Sequence, residues 1–233
     1  MKGKTAVVTG GAKGIGKNIC DAFRREGANV CVIDVLPNDY FVGDIADEKT
    51  LVAFSQKVIQ DYNKIDFLIN NACLTKGGIH TCSYDDFNYV LRVGVTAPFM
   101  LTKLFKDHFN PGGCIVNISS IRHMMSQADT ESYTATKGAI TALTHGLAIS
   151  LAGKVRVNAI SPGWIDTTYG VFSEEDNKQH PVGRIGLPED ITNAVMFLCS
   201  DKSGFITGQD ITIDGGMSKL LIYHNECGWT YNK

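Results

Sequence analysis

TAVVTGGAKGIG, residues 5–16, decides how this chain is read. The first five residues are a short β-branched run suited to a buried strand, and glycines follow at positions 10, 14 and 16. A strand that turns on glycines into a helix is the context a phosphate-binding loop requires. Gly10 permits the tight turn, Gly14 lets the backbone approach a pyrophosphate, and Gly16 allows close helix–strand packing, with Lys13 and Ile15 between them. The helix N-terminus then offers unpaired N–H groups and partial positive charge to an anion. Alone, the glycines fit an ordinary turn equally well. Asp34 shifts the balance, because it ends the next apolar run, NVCVID (29–34), 18 residues after Gly16. There a carboxylate can accept hydrogen bonds from an adenosine ribose. The same carboxylate repels a 2′-phosphate, so the pattern favours NAD over NADP, with Lys13 as the counter-evidence.

Outward from that stretch, β-branched runs alternate with longer helical patterns. Strands are expected at 5–9, 29–34, 40–43, 65–70, 113–119, 155–160 and 210–214, and helices near 14–26, 48–61, 84–107, 131–151 and 188–199. Several strands are nearly continuous apolar runs, as in sheets covered on both faces. The alternation predicts an α/β fold: one domain over 1–233, doubly wound around a seven-stranded parallel sheet of the Rossmann type. One gap is anomalous. Only VLPND separates Asp34 from Tyr40, whereas a parallel crossover takes about a dozen residues or more. Either YFVG (40–43) is placed elsewhere, or a crossover helix is lost, or residues are missing there.

Composition narrows the function classes. The chain has 233 residues, 44% hydrophobic and 20% charged, which excludes disordered, collagenous and coiled-coil chains. A net charge of −2 gives no electrostatic reason to expect nucleic acid or an anionic membrane as partner. No apolar run approaches the roughly 20 residues that span a bilayer, and MKGKTAVVTGG lacks a signal-peptide core. Seven cysteines without CxxC spacing predict a cytoplasmic protein with no disulfide framework. The six histidines show no ligand spacing, so no catalytic metal is expected.

Tyr133 and Lys137 stand four apart in a predicted helix and therefore share a face. Tyr-x3-Lys arises readily by chance, so its surroundings matter. Ser119 and Ser120 close the strand CIVNI, at the carboxyl end where open α/β sheets place ligands. Tyrosine is a poor base at neutral pH, with a reference pKa of about 10. A nearby ammonium such as Lys137 favours the phenolate and brings proton transfer within reach. A serine hydroxyl can orient the substrate oxygen.

These residues together resemble the short-chain dehydrogenase/reductase family, from Lys4 to about Met217. TGGAKGIG resembles its cofactor loop, and Asn70, Asn71 and Ala72 its motif after the fourth strand. Ser120, 13 residues before Tyr133, matches the family serine better than Ser119, and SYTATK (132–137) matches the active-site helix. NAISPG (158–163) resembles the loop that closes over nicotinamide, which implies cofactor roles for Pro162, Gly163 and Ile165. Thr167 falls where the family binds the carboxamide. Asp44, with Ile45 beside it, matches a position that contacts adenine. GLPED (186–190) and ITGQ through DGG (206–216) complete the pattern. The resemblance implies a secondary alcohol or ketone as substrate, a Ser120–Tyr133–Lys137 mechanism in which Tyr133 and Lys137 also contact the cofactor and Lys137 binds its ribose, and a homodimer or homotetramer with the active-site helix and C-terminal region at interfaces. Sedimentation as a monomer would count against that assembly.

Two residues depart from the family. Cys73 stands where a glycine follows Asn-Asn-Ala, and Gly94 where a fourth catalytic residue, an asparagine, holds a water in the proton relay. A backbone carbonyl or another water would have to substitute. These departures motivate an alternative: a nucleotide-binding regulatory protein of the same fold with impaired chemistry. Retention of Ser120, Tyr133 and Lys137 argues against it. Further residues have two readings each. Arg122 and His123 either face the substrate, where they suit a polar or anionic group, or stand in solvent. Trp164 either lines the pocket or packs. SEED (173–176) is a solvated stretch or part of a lid. The apolar tail, 220–224 with Trp229 and Tyr231, packs on the domain or on a neighbouring subunit.

Overall fold

In a computed structural model, residues 1–230 are described. Seven strands form one parallel sheet: β1 (Thr5–Thr9), β2 (Asn29–Asp34), β3 (Phe41–Val42), β4 (Ile65–Asn70), β5 (Phe109–Ile118), β6 (Val155–Pro162) and β7 (Asp210–Ile213). Their order is β3-β2-β1-β4-β5-β6-β7. The direction of winding therefore reverses beside β1, and the crevice between the ends of β1 and β4 is the place where such sheets bind ligands.

The strands alternate between two buried faces. Val7, Ile33, Leu68 and Ile115 point to one side, where Phe54 of α2 (Glu48–Tyr62) and Leu101 and Phe105 of α4 (Ala97–Phe105) cover them. Ala6, Val8, Val32, Ile69 and Val116 point to the other, under Ile19 and Phe23 of α1 (Gly14–Arg25) and Ile191 and Val195 of α7 (Pro188–Leu198). Period-two alternation under helices on both sides is what makes each strand read as a continuous apolar run. The helix starts are specified locally. Asp47 accepts from the Lys49 N–H, Ser83 caps α3 (Tyr84–Leu91) through the Asp86 N–H, and Pro188 opens α7.

The short gap after β2 is crossed without a helix. YFVG stays in the sheet, with Ile33 opposite Phe41 and Asp34 opposite Val42. Because only two residues pair, the chain has little length to retrace. Asn38 holds the turn: its Oδ1 accepts from the Tyr40 and Phe41 N–H groups, and its Nδ2 donates to the Leu36 and Phe41 carbonyls.

The expected helix over 84–107 is interrupted. Arg92–Thr96 forms a π-helical turn between α3 and α4, followed by Pro98. Proline has no N–H to return to the carbonyl four residues back, which here is that of Gly94. The wider turn absorbs this break. All seven cysteines are free. Among the described residues no helix is long and apolar enough to cross a membrane. The tail stays largely off the domain, with Leu221 and Tyr223 exposed and His224 against Trp229 at a ring-centroid distance of 5.9 Å. Tyr231 lies outside the described residues.

Candidate active site

The glycine loop and the end of β4 are built as one piece. Thr9 Oγ1 accepts from the Asn71 and Ala72 N–H groups, both at 3.0 Å, and Asn71 Nδ2 donates to the carbonyls of Thr9 and Gly10, also at 3.0 Å. Gly10 and Gly14 adopt φ of 67° and 55°, conformations that favour glycine. A Cβ on Gly10 would stand 2.9 Å from Ala72 Cα, and one on Gly16 would overlap the Gly10 carbonyl. Lys13, exposed at the start of α1, makes no side-chain cap, and the first turn holds no acid. The helix N–H groups therefore face the crevice unopposed, which fits a pyrophosphate. Ile15 packs against the core behind the loop.

Asp34 turns back to this loop. One oxygen accepts from the Ala12 N–H at 3.0 Å and the other from the Leu36 N–H at 2.9 Å. Ala12 was not singled out in the sequence, since a backbone donor leaves no mark on residue type. Asp44 accepts from the Tyr89 hydroxyl at 2.9 Å and the Ala46 N–H at 2.8 Å, while Ile45 is buried in the core. Asn70 is interior: it donates to Asn117 Oδ1 at 2.8 Å, Asn117 donates to Thr144 at 2.9 Å, and Asn70 Oδ1 has no partner. This chain ties the tips of β4 and β5 to α5 (Glu131–Ser150).

Ser120, Tyr133 and Lys137 converge at the end of β5. Lys137 is buried on α5 and donates through Nζ to the Ile118 carbonyl at 2.7 Å, with Nζ 5.3 Å from the centroid of the Tyr133 ring. Burial pushes the Tyr133 phenol above its usual value. The charges of Lys137 and Arg122 and the Ser120 hydroxyl pull the other way, while Cys73 adds to the rise. Ser119 instead bonds the Lys137 carbonyl and Thr141 Oγ1, so it fastens β5 to α5, and Ser120 is the serine at the cavity. Gly94 packs on the same helix: a Cβ there would overlap the Thr136 Cγ2 methyl.

A cavity of about 900 Å³ opens in front of Ser120 and Tyr133. Ile121, Trp164, Ile165 and Met217 give it an apolar wall, and Gly163 lies at its edge. Trp164 does both things expected of it, lining the cavity and packing edge-on against Phe172 at 5.3 Å. Pro162 ends β6 opposite Ile213. Thr167 comes to the phosphate loop, its Cγ2 3.3 Å from where a Cβ on Gly14 would stand. The acidic run caps α6 (Glu174–Lys178) through a reciprocal Ser173–Asp176 pair, and Gln179 just beyond it lines the cavity. Arg122 faces the cavity, whereas His123 Nε2 stands 3.0 Å from Asp210 Oδ2. Met217 and Gln179 were not anticipated, because they reach the cavity from loops without a pattern of their own. Among the described residues no cluster of His, Cys, Asp or Glu could hold a metal ion.

Residues 10–218 match a family model described as enoyl-(acyl carrier protein) reductase. The chain is a short-chain dehydrogenase/reductase. Relatives of this family include an uncharacterized oxidoreductase of Thermotoga maritima, 36% identical over 96% of this chain and 99% of its own. A SCOR enzyme from Clostridium thermocellum, solved in its apo form, is 42% identical, covers both chains fully and has a TM-score of 0.92. A 4-hydroxyisoleucine dehydrogenase solved with NADH is 27% identical over 94% of this chain, with a TM-score of 0.85. Short-chain dehydrogenases/reductases use a nicotinamide dinucleotide, and the glycine loop, Asp34 and Thr167 of this member form a crevice that suits one.

Proposed function

We propose that this short-chain dehydrogenase/reductase interconverts a secondary alcohol and a ketone with NAD. The observation that carries this reading is the convergence of Ser120, Tyr133 and Lys137 at one cavity beside the phosphate loop. NAD, when bound, supplies the hydride acceptor. The chain's residues handle the proton and the orientation. Ser120 holds the carbinol oxygen, Tyr133 Oη takes the hydroxyl proton during oxidation and returns it during reduction, and Lys137 favours the phenolate. Burial around Tyr133 excludes water and strengthens the influence of Lys137. Pro98 leaves the Gly94 carbonyl without an α-helical donor, close to α5, and that carbonyl replaces the family asparagine as the anchor of a relay water. Asp34 supports NAD over NADP, because its carboxylate meets any group at the ribose 2′ position. Apolar side chains left in solvent, Ile149 on α5 and Phe205 before β7, support a homodimer or homotetramer.

The test mixes the purified chain with NAD or NADP and a panel of secondary alcohols and follows absorbance of the reduced cofactor. Turnover of at least one alcohol, faster with NAD, is expected. Silence across the panel with tight NADH binding would overturn the reading and favour the regulatory alternative.

A further inference from the structure

Arg122 has no acid to answer it. Among the described residues, it is the one charged side chain lining the cavity, no Asp or Glu lines it, and Arg122 forms no ion pair. Its guanidinium stands 5.9 Å from the centroid of the Tyr133 ring. Nη1 donates to Gln127 Oε1 at 3.0 Å, while Nε is buried without a partner. A half-buried guanidinium satisfied on one side by a neutral amide keeps its charge and most of its donors unanswered, and protein interiors normally pair such charges. Nε is closed to solvent and Nη1 is engaged by Gln127, so Nη2 is the nitrogen left to a ligand, and a charged donor of this kind holds a carboxylate oxygen end-on. One positive charge suits a monoanion better than a phosphate dianion. The rest of the wall, Ile121, Met125, Trp164 and Met217, asks for hydrocarbon.

We propose that the substrate is a hydroxy- or oxo-carboxylate with an apolar tail, whose free carboxylate Arg122 holds so that the carbinol faces Ser120 and Tyr133. This rests on the alcohol–ketone reading above and names its substrate class. The carboxylate is unchanged by the reaction: the carbinol carbon gives its hydride to NAD, its oxygen gives a proton to Tyr133, and a C=O bond forms. Arg122 is thus a specificity residue. A rival role, pulling on the proton of Tyr133 alone, would act on charged and neutral substrates alike.

The experiment compares 2- and 3-hydroxyhexanoate with their methyl esters, alongside neutral secondary alcohols, in the native chain, Arg122→Gln and Arg122→Lys. For at least one pair the acid is the better substrate. Arg122→Gln should lower the ratio of kcat/KM for that acid to kcat/KM for its ester by about 10- to 100-fold, through KM of the acid, while any loss that acts through Tyr133 is shared by both. Arg122→Lys should restore part of the loss, since it keeps the positive charge on a head group of different shape and reach. Equal use of acid and ester overturns the proposal, as does an equal loss on both with a shifted pH profile. Turnover of neutral alcohols with no acid accepted also overturns it and leaves the reaction class standing. If nothing turns over, the alcohol–ketone reading fails, and hexanoate titrated into the NADH-loaded chain still decides the anion site by Trp164 fluorescence. Saturable quenching lost in Arg122→Gln supports the site, and no quenching overturns it.

Discussion

At the residue scale, the chemistry rests on one phenol and its surroundings. Tyr133 has its proton affinity raised first by burial, against which the Lys137 ammonium, the Ser120 hydroxyl and the Arg122 charge act. The sign of the pH dependence follows. Oxidation needs the deprotonated oxygen, so below the Tyr133 pKa its kcat/KM should climb about tenfold per pH unit, while reduction uses the protonated form and should fall as pH rises through it. Lys137→Met removes the largest opposing influence and should move the oxidation limb to higher pH. A limb that stays in place in Lys137→Met would show that another group is titrating. The residues of this site were legible because glycine, tyrosine and lysine at fixed spacings carry specific chemistry. Arg122 was legible only as one of two readings, since a guanidinium after a strand gives no sign of which way it points.

At the element scale, the feature that sequence periodicity passed over is the π-helical turn at Arg92–Thr96. Apolar positions at 90, 93, 97 and 101 keep helical spacing through the turn, so the pattern over 84–107 reads as one helix. The turn lets Gly94 approach Thr136 of α5 until there is no room for a side chain. Thr136 is held there, with Oγ1 donating to the Ser132 carbonyl at 2.8 Å, and a β-branched side chain in a helix has little rotamer freedom. Gly94→Asn should therefore destabilise the fold by about 1–3 kcal/mol in denaturant unfolding. Adding Thr136→Ser, which removes the methyl and keeps the hydroxyl, should recover at least half of that loss. Simple addition of the two single effects would refute the steric coupling. Gly94 is thus fitted to its neighbour, which explains its place better than decay of a site does.

At the scale of the whole molecule, the parallel sheet does the positioning. Every group with a proposed chemical role sits at or just beyond the carboxyl end of a strand or on the helix that follows, and the Asn70–Asn117–Thr144 chain locks those ends together. The seven strands and their parallel, doubly wound arrangement were readable from apolar runs alternating with helical patterns, whereas their order comes from the structure. The connection after β2 was not readable either, because a two-residue pairing closed by Asn38 side-chain bonds leaves no periodic signal. The central claim is that this assembly moves a hydride while Tyr133 moves the proton. The direct measurement is single-turnover formation of NADH in the native chain and in Tyr133→Phe, each saturated with NAD and the best alcohol of the panel. Loss of Tyr133 should slow the step by about 10²- to 10⁴-fold while the variant still binds NADH. An undiminished rate in Tyr133→Phe would contradict the account.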